Sequence, residues 1–308
     1  MKTEMEFMEE VMGGLEKRME GEYQVKPGPV AKNNGAVLAG VILKKKEENQ
    51  GVTVCLGPYY GAYQDGKIGL EGVIEDIYGL FAGNQEYACL PDREVFGSPE
   101  VWDKVIFRLV NREKNQEFLK KIPHILFLDL AVVFMLVLDQ NERGQMSVLV
   151  NNEAMKGWGG DVEGLFARAR ENAPLLYPAS LVSMEEAIKE MIGGSMGEGC
   201  TGELIPGCME AGSIGMYVLT NQRGFHGAAA LLYPDIVKDF ADSQGCDLVI
   251  LPSSVHEVLL VPEREPMDYT YMRDMVKNVN STEVALEDQL SDEVYVYRRE
   301  EGRIVIAE

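Results

Sequence analysis

Cysteine and histidine are both scarce in this sequence. The 308 residues include five cysteines and three histidines. The cysteines are odd in number and form no C-x-x-C pair, so the sequence predicts neither a disulfide framework nor a zinc knuckle. The histidines are far apart and form no H-x-x-x-H or H-E-x-x-H pattern, so no metal site is predicted. We expect the thiols to be reduced and mostly buried.

The glycines are numerous, but they do not form a phosphate-binding motif. The sequence has 32 of them and contains no G-x-x-x-x-G-K-[ST] and no strand followed by G-x-G-x-x-G. Dinucleotide and triphosphate sites are therefore not predicted, and no cofactor is expected. Residues 193–197 do match G-x-S-x-G, the pattern of a serine nucleophile on a strand-to-helix turn. A helix is predicted before them, however, so a glycine-rich loop over 193–215 is the preferred interpretation.

Basic residues are outnumbered by acidic ones. The 29 Lys and Arg residues against 50 Asp and Glu give a formal net charge of -21. This charge repels nucleic-acid phosphates and anionic lipids, so we expect neither a nucleic-acid partner nor a membrane partner. The alternative is an acidic inhibitor that mimics a nucleic acid. Both signs are interleaved in runs such as Lys44–Glu48, which favours a solubilising surface instead.

Long apolar runs are missing as well. The best candidate for a membrane span, Ile122–Leu138, contains Pro123 and Asp129 and falls short of the roughly 20 apolar residues that cross a bilayer. Its valine and phenylalanine content predicts a buried strand instead. A carboxylate in such a strand needs hydrogen bonds or a cation, so we predict a structural role for Asp129. The acidic start MKTEMEFMEE does not resemble a signal peptide, and a cytoplasmic location is expected.

Apolar periodicity predicts an α+β fold made of antiparallel β-hairpins with helices packed on one face. Three stretches, 35–82, 127–170 and 216–243, each contain the pattern strand, polar turn, strand, helix. Repeated ββα units around one antiparallel sheet would bury the apolar surface that each unit leaves exposed. Three separate occurrences of a common local motif are the alternative.

The length of the chain favours two domains. Ser98 followed by Pro99 is a helix start signal, and the apolar residues after it predict a helix that bridges two halves. The boundary is placed just beyond that helix. We therefore expect an N-terminal α+β lobe over 1–112 and a C-terminal α+β lobe over 113–308, the second containing the glycine-rich loop at 193–215.

One short segment has the residue types of nucleophilic catalysis. Ser253, Ser254, His256 and Glu257 bring hydroxyl, imidazole and carboxylate together at the turn of a hairpin predicted over 247–261. Adjacent strand residues point to opposite faces, so His256 and Glu257 share a pocket only if a bulge intervenes. A polar turn is the preferred interpretation. A hydrolase that uses Ser253 or Ser254 with His256 requires a serine oxygen within hydrogen-bond reach of the imidazole.

Several segments carry a family resemblance. They are IPHILFLDLAVVF, TNQRGFHGAAALLYP, ILPSSVHEVLLVP and EDQLSDEVYVYRR. With them, nearly the whole chain resembles a family of uncharacterised bacterial proteins, a domain of unknown function common in gut anaerobes. The middle segment LVLDQNERGQMSVLVNNEAMKGWGGDVEGLFARARENA resembles a second uncharacterised bacterial family. Neither resemblance implies an activity or functional residues.

The sequence therefore favours a non-enzymatic cytosolic interaction or accessory protein over an enzyme. Another protein is the expected partner, and the oligomeric state is left open. The two alternatives are the hydrolase and the acidic nucleic-acid mimic. A surface on which negative charge is patchy argues against the mimic, which needs an ordered acidic stripe.

Overall fold

The structure is a computed structural model that describes residues 2–19, 21, 23–46, 52–83, 99–141, 144–193 and 215–308. The chain divides into two compact units, Met1–Ser98 and Pro99–Glu308. Both units combine helices with strands, and every strand pairing within the described ranges is antiparallel. The predicted α+β class is confirmed.

The described residues of the first unit form a three-stranded sheet, three α-helices and a short 3-10 helix at Asn33–Gly35. The strands, in the order in which they pair, are β1 (Tyr23–Ala31), β2 (Val37–Lys45) and β3 (Val52–Cys55). The helices are α1 (Glu4–Arg18), α2 (Gly57–Gln64) and α3 (Leu70–Gly83). Helix α1 begins with a capping box between Thr3 and Glu6. Its buried face, which includes Phe7 and Leu15, shares one core with β2 and α3.

The described residues of the second unit form two sheets. In the four-stranded sheet, β6 (Leu130–Asn141) pairs with β4 (Val105–Asn111) along one edge and with β5 (His124–Phe127) and β7 (Gly144–Leu149) along the other. The six-stranded sheet has the order β13-β12-β10-β11-β9-β8. Its strands are β8 (Ala179–Ser183), β9 (Tyr217–Asn221), β10 (Asp247–Leu251), β11 (Val258–Glu263), β12 (Tyr295–Arg298) and β13 (Arg303–Ile306).

Helices of the second unit pack beside these sheets. They are α4 (Gln116–Leu119), α5 (Asn152–Gly157), α6 (Val162–Leu176), α7 (Met184–Gly193), α8 (Ile236–Gln244) and α9 (Tyr269–Thr282), together with 3-10 helices at Pro99–Lys104 and Gly227–Leu232. Asn172 of α6 donates to the carbonyls of Trp102 and Val105 at 2.6 and 3.0 Å, which fixes α6 against the start of β4. The two tryptophans of the chain, Trp102 and Trp158, lie in this unit with ring centroids 5.3 Å apart.

The predicted bridging helix after Ser98 is wrong. The chain forms a short 3-10 helix at Pro99–Lys104 and then strand β4. The strand forms because β4 pairs with β6 along its whole length, and because its valine, isoleucine and phenylalanine residues suit a buried sheet. Strand β4 therefore belongs to the second unit. The compact units divide after residue 98, whereas the sequence placed the boundary after residue 112.

The apolar run Ile122–Leu138 forms a hairpin rather than one strand. Strands β5 and β6 meet at a tight turn in which Leu128 has a φ of 55°. Asp129 is the second residue of this turn and accepts hydrogen bonds from the Ser291 hydroxyl at 2.6 Å and from the Tyr295 hydroxyl. Its carboxylate thus joins the four-stranded sheet to Ser291 and to the start of strand β12 in the six-stranded sheet. No helix in the described part of the chain is long and apolar enough to cross a bilayer.

The ββα repeat is present in two of the three predicted stretches. In 35–82 the hairpin β2–β3 precedes α2 and α3, and in 127–170 the hairpin β6–β7 precedes α5 and α6. In 216–243, strand β9 is followed by the 3-10 helix at Gly227–Leu232, so the predicted second strand is wrong. That segment is rich in alanine, which strands disfavour. The predicted loop at 193–215 and its G-x-S-x-G pattern lie outside the described residues, apart from Gly193 and Gly215.

Candidate functional site

The predicted catalytic cluster lies in the connection between β10 and β11. Ser254 is buried, and its hydroxyl accepts a hydrogen bond from the backbone N–H of His256 at 3.0 Å. The His256 ring has other partners: Nε2 lies 3.1 Å from Oδ1 of Asp288, and Nδ1 lies 3.3 Å from the backbone nitrogen of His226. The structure therefore brings His256 to a carboxylate but does not bring a serine oxygen to its imidazole.

The other two predicted residues have scaffold positions. The carbonyl of Ser253 accepts a hydrogen bond from the Leu290 N–H at 2.9 Å. Glu257 precedes strand β11, so the alternation of strand faces does not apply to it, and it acts on His256 only through its charge. The serine pair thus ties the β10–β11 connection to the segment at 288–291.

A tight turn after β9 brings a second histidine to the site. The side chain of Asn221 accepts from the Arg223 N–H at 3.0 Å and donates to the Phe225 carbonyl at 2.9 Å. His226 then adopts the left-handed conformation, with a φ of 52°. Its ring stacks on that of His256 at a centroid distance of 5.8 Å and an interplanar angle of 16°.

The electrostatics of His256 favour the protonated ring. The hydrogen bond to Asp288 raises the pKa of His256, burial opposes this, and the charges of Asp288 and Glu257 add to the increase. In the neutral ring, Nε2–H donates to Asp288 and Nδ1 accepts from the His226 N–H. In the protonated ring, the carbonyl of Gly224 accepts a hydrogen bond from the ring N–H.

A pocket opens beside His226 in the second unit. It encloses about 380 Å³ including the open space at its mouth, and only about 20 Å³ is open to the centre of a water molecule. The side chains of strand β4, helix α6 and the 3-10 helix at Gly227–Leu232 form much of its wall. The polar residues that line it are Arg108, Ser147, Tyr177, Asn221, His226 and Tyr233.

Arg108 is the cation of this pocket. One terminal nitrogen lies 3.4 Å from Nε2 of His226, while Nε is closed off from solvent and has no hydrogen-bond partner among the described residues. No ion pair joins Arg108 to an Asp or Glu in those residues. Burial lowers the pKa of Arg108 to about 10, so the side chain still carries its charge near neutral pH.

His226 is the neighbour of this guanidinium. A guanidinium has only donors, so the contact with His226 requires that Nε2 accept. A proton on Nε2 would end this hydrogen bond and place two cations side by side. Near neutral pH, Arg108 gives the pocket a positive charge.

Two tyrosines complete the polar wall. The Tyr177 hydroxyl is buried and has no hydrogen-bond partner in the described ranges, and burial raises its pKa. The guanidinium of Arg223 lies over its ring, 5.8 Å from the centroid. The Tyr233 hydroxyl donates to the carbonyl of Ala173 at 3.4 Å, and burial raises its pKa as well. Both hydroxyls therefore stay protonated and are neutral donors.

Residues 4–299 match the model of a family of unknown function, DUF5688. The chain belongs to this family. The match extends over nearly the whole chain, as the sequence resemblance to an uncharacterised family predicted. No curated protein and no solved structure matches the chain. Membership of DUF5688 brings no activity with it, so the chemistry of the site follows from its own residues.

Sequence reasoning missed most of the pocket in this DUF5688 member. Arg108 and His226 are 118 positions apart, and Arg108 was placed on a helix that does not form. One signal was available: Arg108 interrupts the apolar run Val105–Val110, as Asp129 interrupts the next one. A charged residue in a buried strand needs a partner or a function. Among the described residues, no group of three or more His, Cys, Asp and Glu is arranged to hold a metal ion.

The stability of the second unit is expected to depend on pH through His256. The folded-state pKa lies above the ordinary value of 6.5, so the folded state binds the proton more tightly than the unfolded state does. This stabilisation is fully present below pH 6.5 and is lost as the pH rises through the folded-state pKa. Asp288→Asn removes the main cause of the shift, so the difference in unfolding free energy between wild type and variant should be largest at acid pH.

Urea unfolding between about pH 5 and pH 8, where histidine titrates, measures this difference. Because Trp102 and Trp158 both lie in the second unit, their fluorescence reports on that unit alone. A difference that grows as the pH rises contradicts the assignment.

Proposed function

We propose that this member of DUF5688 is a non-enzymatic binding protein that takes a small anion into the pocket at Arg108. The observation that carries this function is a pocket-lining guanidinium whose buried Nε meets no acceptor in the described residues. A guanidinium presents fixed N–H donors that match the oxygens of an oxyanion. A bound anion would supply both the missing acceptor and the missing negative charge.

The free-energy cost of Arg108 supports this function. A buried donor without an acceptor costs about 1–3 kcal/mol. A buried charge without a counterion adds to that cost, because the surroundings solvate it poorly. The net charge of -21 makes carboxylates abundant in this chain, yet none of the described ones pairs with Arg108. A site left in this state is suited to an acceptor from outside the protein.

We propose a bacterial cytoplasm as the setting. The free thiols of Cys55 and Cys246 support a cytoplasmic setting, because such thiols are usual in a reducing compartment. A binding protein of this kind has an accessory role, in which a partner protein responds to the occupied pocket.

Arg108→Met tests the proposal. The variant should bind small anions at least tenfold more weakly than the wild type, because it lacks the charged donor, an effect of about the size expected for a hydrogen bond to a charged group. The ligand-free variant should also be more stable than the wild type, by about 1 kcal/mol or more, because an uncompensated charge has left the interior. Isothermal titration calorimetry with acetate, sulfate and phosphate measures the first effect, and urea unfolding measures the second.

Arg112→Met is the matched control. Arg112 follows the same strand but is exposed, so its replacement should change neither the binding nor the stability of the second unit. Wild-type protein that binds none of these anions, or an Arg108→Met variant that binds them equally well, overturns the proposed function.

A further inference from the structure

We infer that the anion is a small monocarboxylate rather than phosphate or sulfate. This inference rests on the proposed function and names the ligand class of the same pocket. It follows from three properties of the lining: its charge, the number of its open donors, and its size.

The charge of the lining fits a monoanion. Arg108 supplies a positive charge, Nε2 of His226 accepts from its guanidinium, and the Tyr177 and Tyr233 hydroxyls stay protonated. One carboxylate neutralises this charge. Sulfate, a dianion, would leave a net negative charge in a partly buried site of a chain whose own charge is -21, which is unfavourable.

The open donors match the two oxygens of a carboxylate. Arg108 and Tyr177 both line this pocket, and neither the buried Nε–H of Arg108 nor the buried O–H of Tyr177 has an acceptor in the part of the chain that the structure describes. One carboxylate can accept from both. The four oxygens of phosphate or sulfate need more donors, and the remaining wall includes the apolar side chains of Phe107, Met135 and Ala229.

The size of the pocket limits the acid to a short chain. The space open to a water centre is about 20 Å³. This is slightly more than the roughly 10–15 Å³ that one water requires. The enclosed space is therefore of the order of a single carboxyl group, and an alkyl tail would extend toward the open mouth of the pocket. Phe225, which is 49% exposed and packs on the His226 ring with a centroid distance of 4.1 Å, lies in the lining and would contact that tail.

The experiment is calorimetry on the full chain with formate, acetate, propionate, benzoate, sulfate and phosphate, with acetamide as a neutral analogue of acetate. It is carried out at about pH 8, where histidine is neutral. We expect acetate or propionate to bind best. We expect at least tenfold weaker binding for each of sulfate, phosphate, benzoate and acetamide. A tenfold change in the dissociation constant is about the effect of losing one hydrogen bond to a charged group.

Tyr177→Phe tests the second donor and is compared with Tyr233→Phe. The first variant should weaken acetate binding by about tenfold, because it removes an open donor to a charged oxygen. The second should have a smaller effect, because the Tyr233 hydroxyl already donates to the carbonyl of Ala173. Tryptophan fluorescence confirms that each variant is folded. If a variant does not fold, the comparison of ligands on the wild-type protein still tests the carboxylate inference.

The outcomes separate the inference from the function on which it rests. If sulfate or phosphate binds more tightly than every carboxylate and Arg108→Met abolishes that binding, the carboxylate inference is overturned and the anion-binding function stands. If carboxylates bind equally well to wild type and Tyr177→Phe, the two-donor geometry is overturned. If no anion binds the wild type, the proposed function itself fails.

Discussion

Replacing Gly227 with alanine is expected to destabilise the second unit by about 3 kcal/mol or more. The added Cβ would lie 2.0 Å from Oγ1 of Thr220, 2.5 Å from the carbonyl oxygen of His256 and 2.7 Å from the backbone nitrogen of Asn221. Two of these three atoms belong to the backbone and cannot rotate away. The variant must therefore push β9 and the β10–β11 connection apart, which also disturbs the stacking of His226 on His256. Urea unfolding followed by tryptophan fluorescence measures the loss.

Gly157→Ala is the matched control in the same unit. Gly157 is the last residue of α5, and an added Cβ would meet no atom within 4 Å. Alanine is favoured over glycine in a helix by up to about 1 kcal/mol, so this variant should be neutral or slightly more stable. Equal unfolding midpoints for the two variants would show that the close packing around Gly227 is not real.

Asp129→Ala is expected to destabilise the second unit by about 3 kcal/mol, because it leaves buried hydroxyl groups without their acceptor. Tyr295 is fully buried, and the Ser291 side chain is 2% exposed, so water cannot replace the carboxylate without a rearrangement. Burial raises the pKa of Tyr295, and the charge of Asp129 raises it further, so the phenol is a donor at every ordinary pH. The measurement is again urea unfolding followed by tryptophan fluorescence.

A double-mutant cycle isolates the bond between Asp129 and Tyr295. Asp129→Ala, Tyr295→Phe and the double variant should give a coupling free energy of about 1 kcal/mol or more, since these side chains share a hydrogen bond. Tyr297→Phe serves as the control, because Tyr297 is buried on the same strand and its hydroxyl has no hydrogen bond in the described ranges. Additive effects of the two substitutions would contradict the role of Asp129.

The elements that sequence patterns predicted correctly depend on residues close together in the chain. The β2–β3, β6–β7 and β10–β11 pairings connect neighbouring runs, and polar turns marked each of them. The errors arose where contacts between residues that are distant in the chain decide the secondary structure. The apolar residues at 101–110 suit one helix face or a buried strand equally well, and only the pairing of β4 with β6 selects the strand.

Contacts between distant residues also explain why the sequence did not predict the candidate site. Adjacency in sequence pointed to Ser253, Ser254, His256 and Glu257, but the partners of the His256 ring come from 30 and 32 positions away. The pocket is assembled over longer distances still, from a strand, a helix and a turn that follow one another only in space. A single sequence carries no signal for such pairings. What it does show is the isolated charge in an apolar run, at Arg108 and at Asp129.

The hydrogen bonds of Asp129 also have a consequence for the order of folding. The bond from Ser291 spans 162 positions and that from Tyr295 spans 166, while the Asn111 side chain reaches the carbonyl of Leu290 across 179. Contacts so distant in sequence carry a large loop-closure entropy and form slowly. Synthesis proceeds from the amino terminus, so all residues of the four-stranded sheet have been made long before Ser291 and Tyr295 exist. Until those residues are made, the turn at Asp129 has neither donor, and the two sheets are not yet joined there.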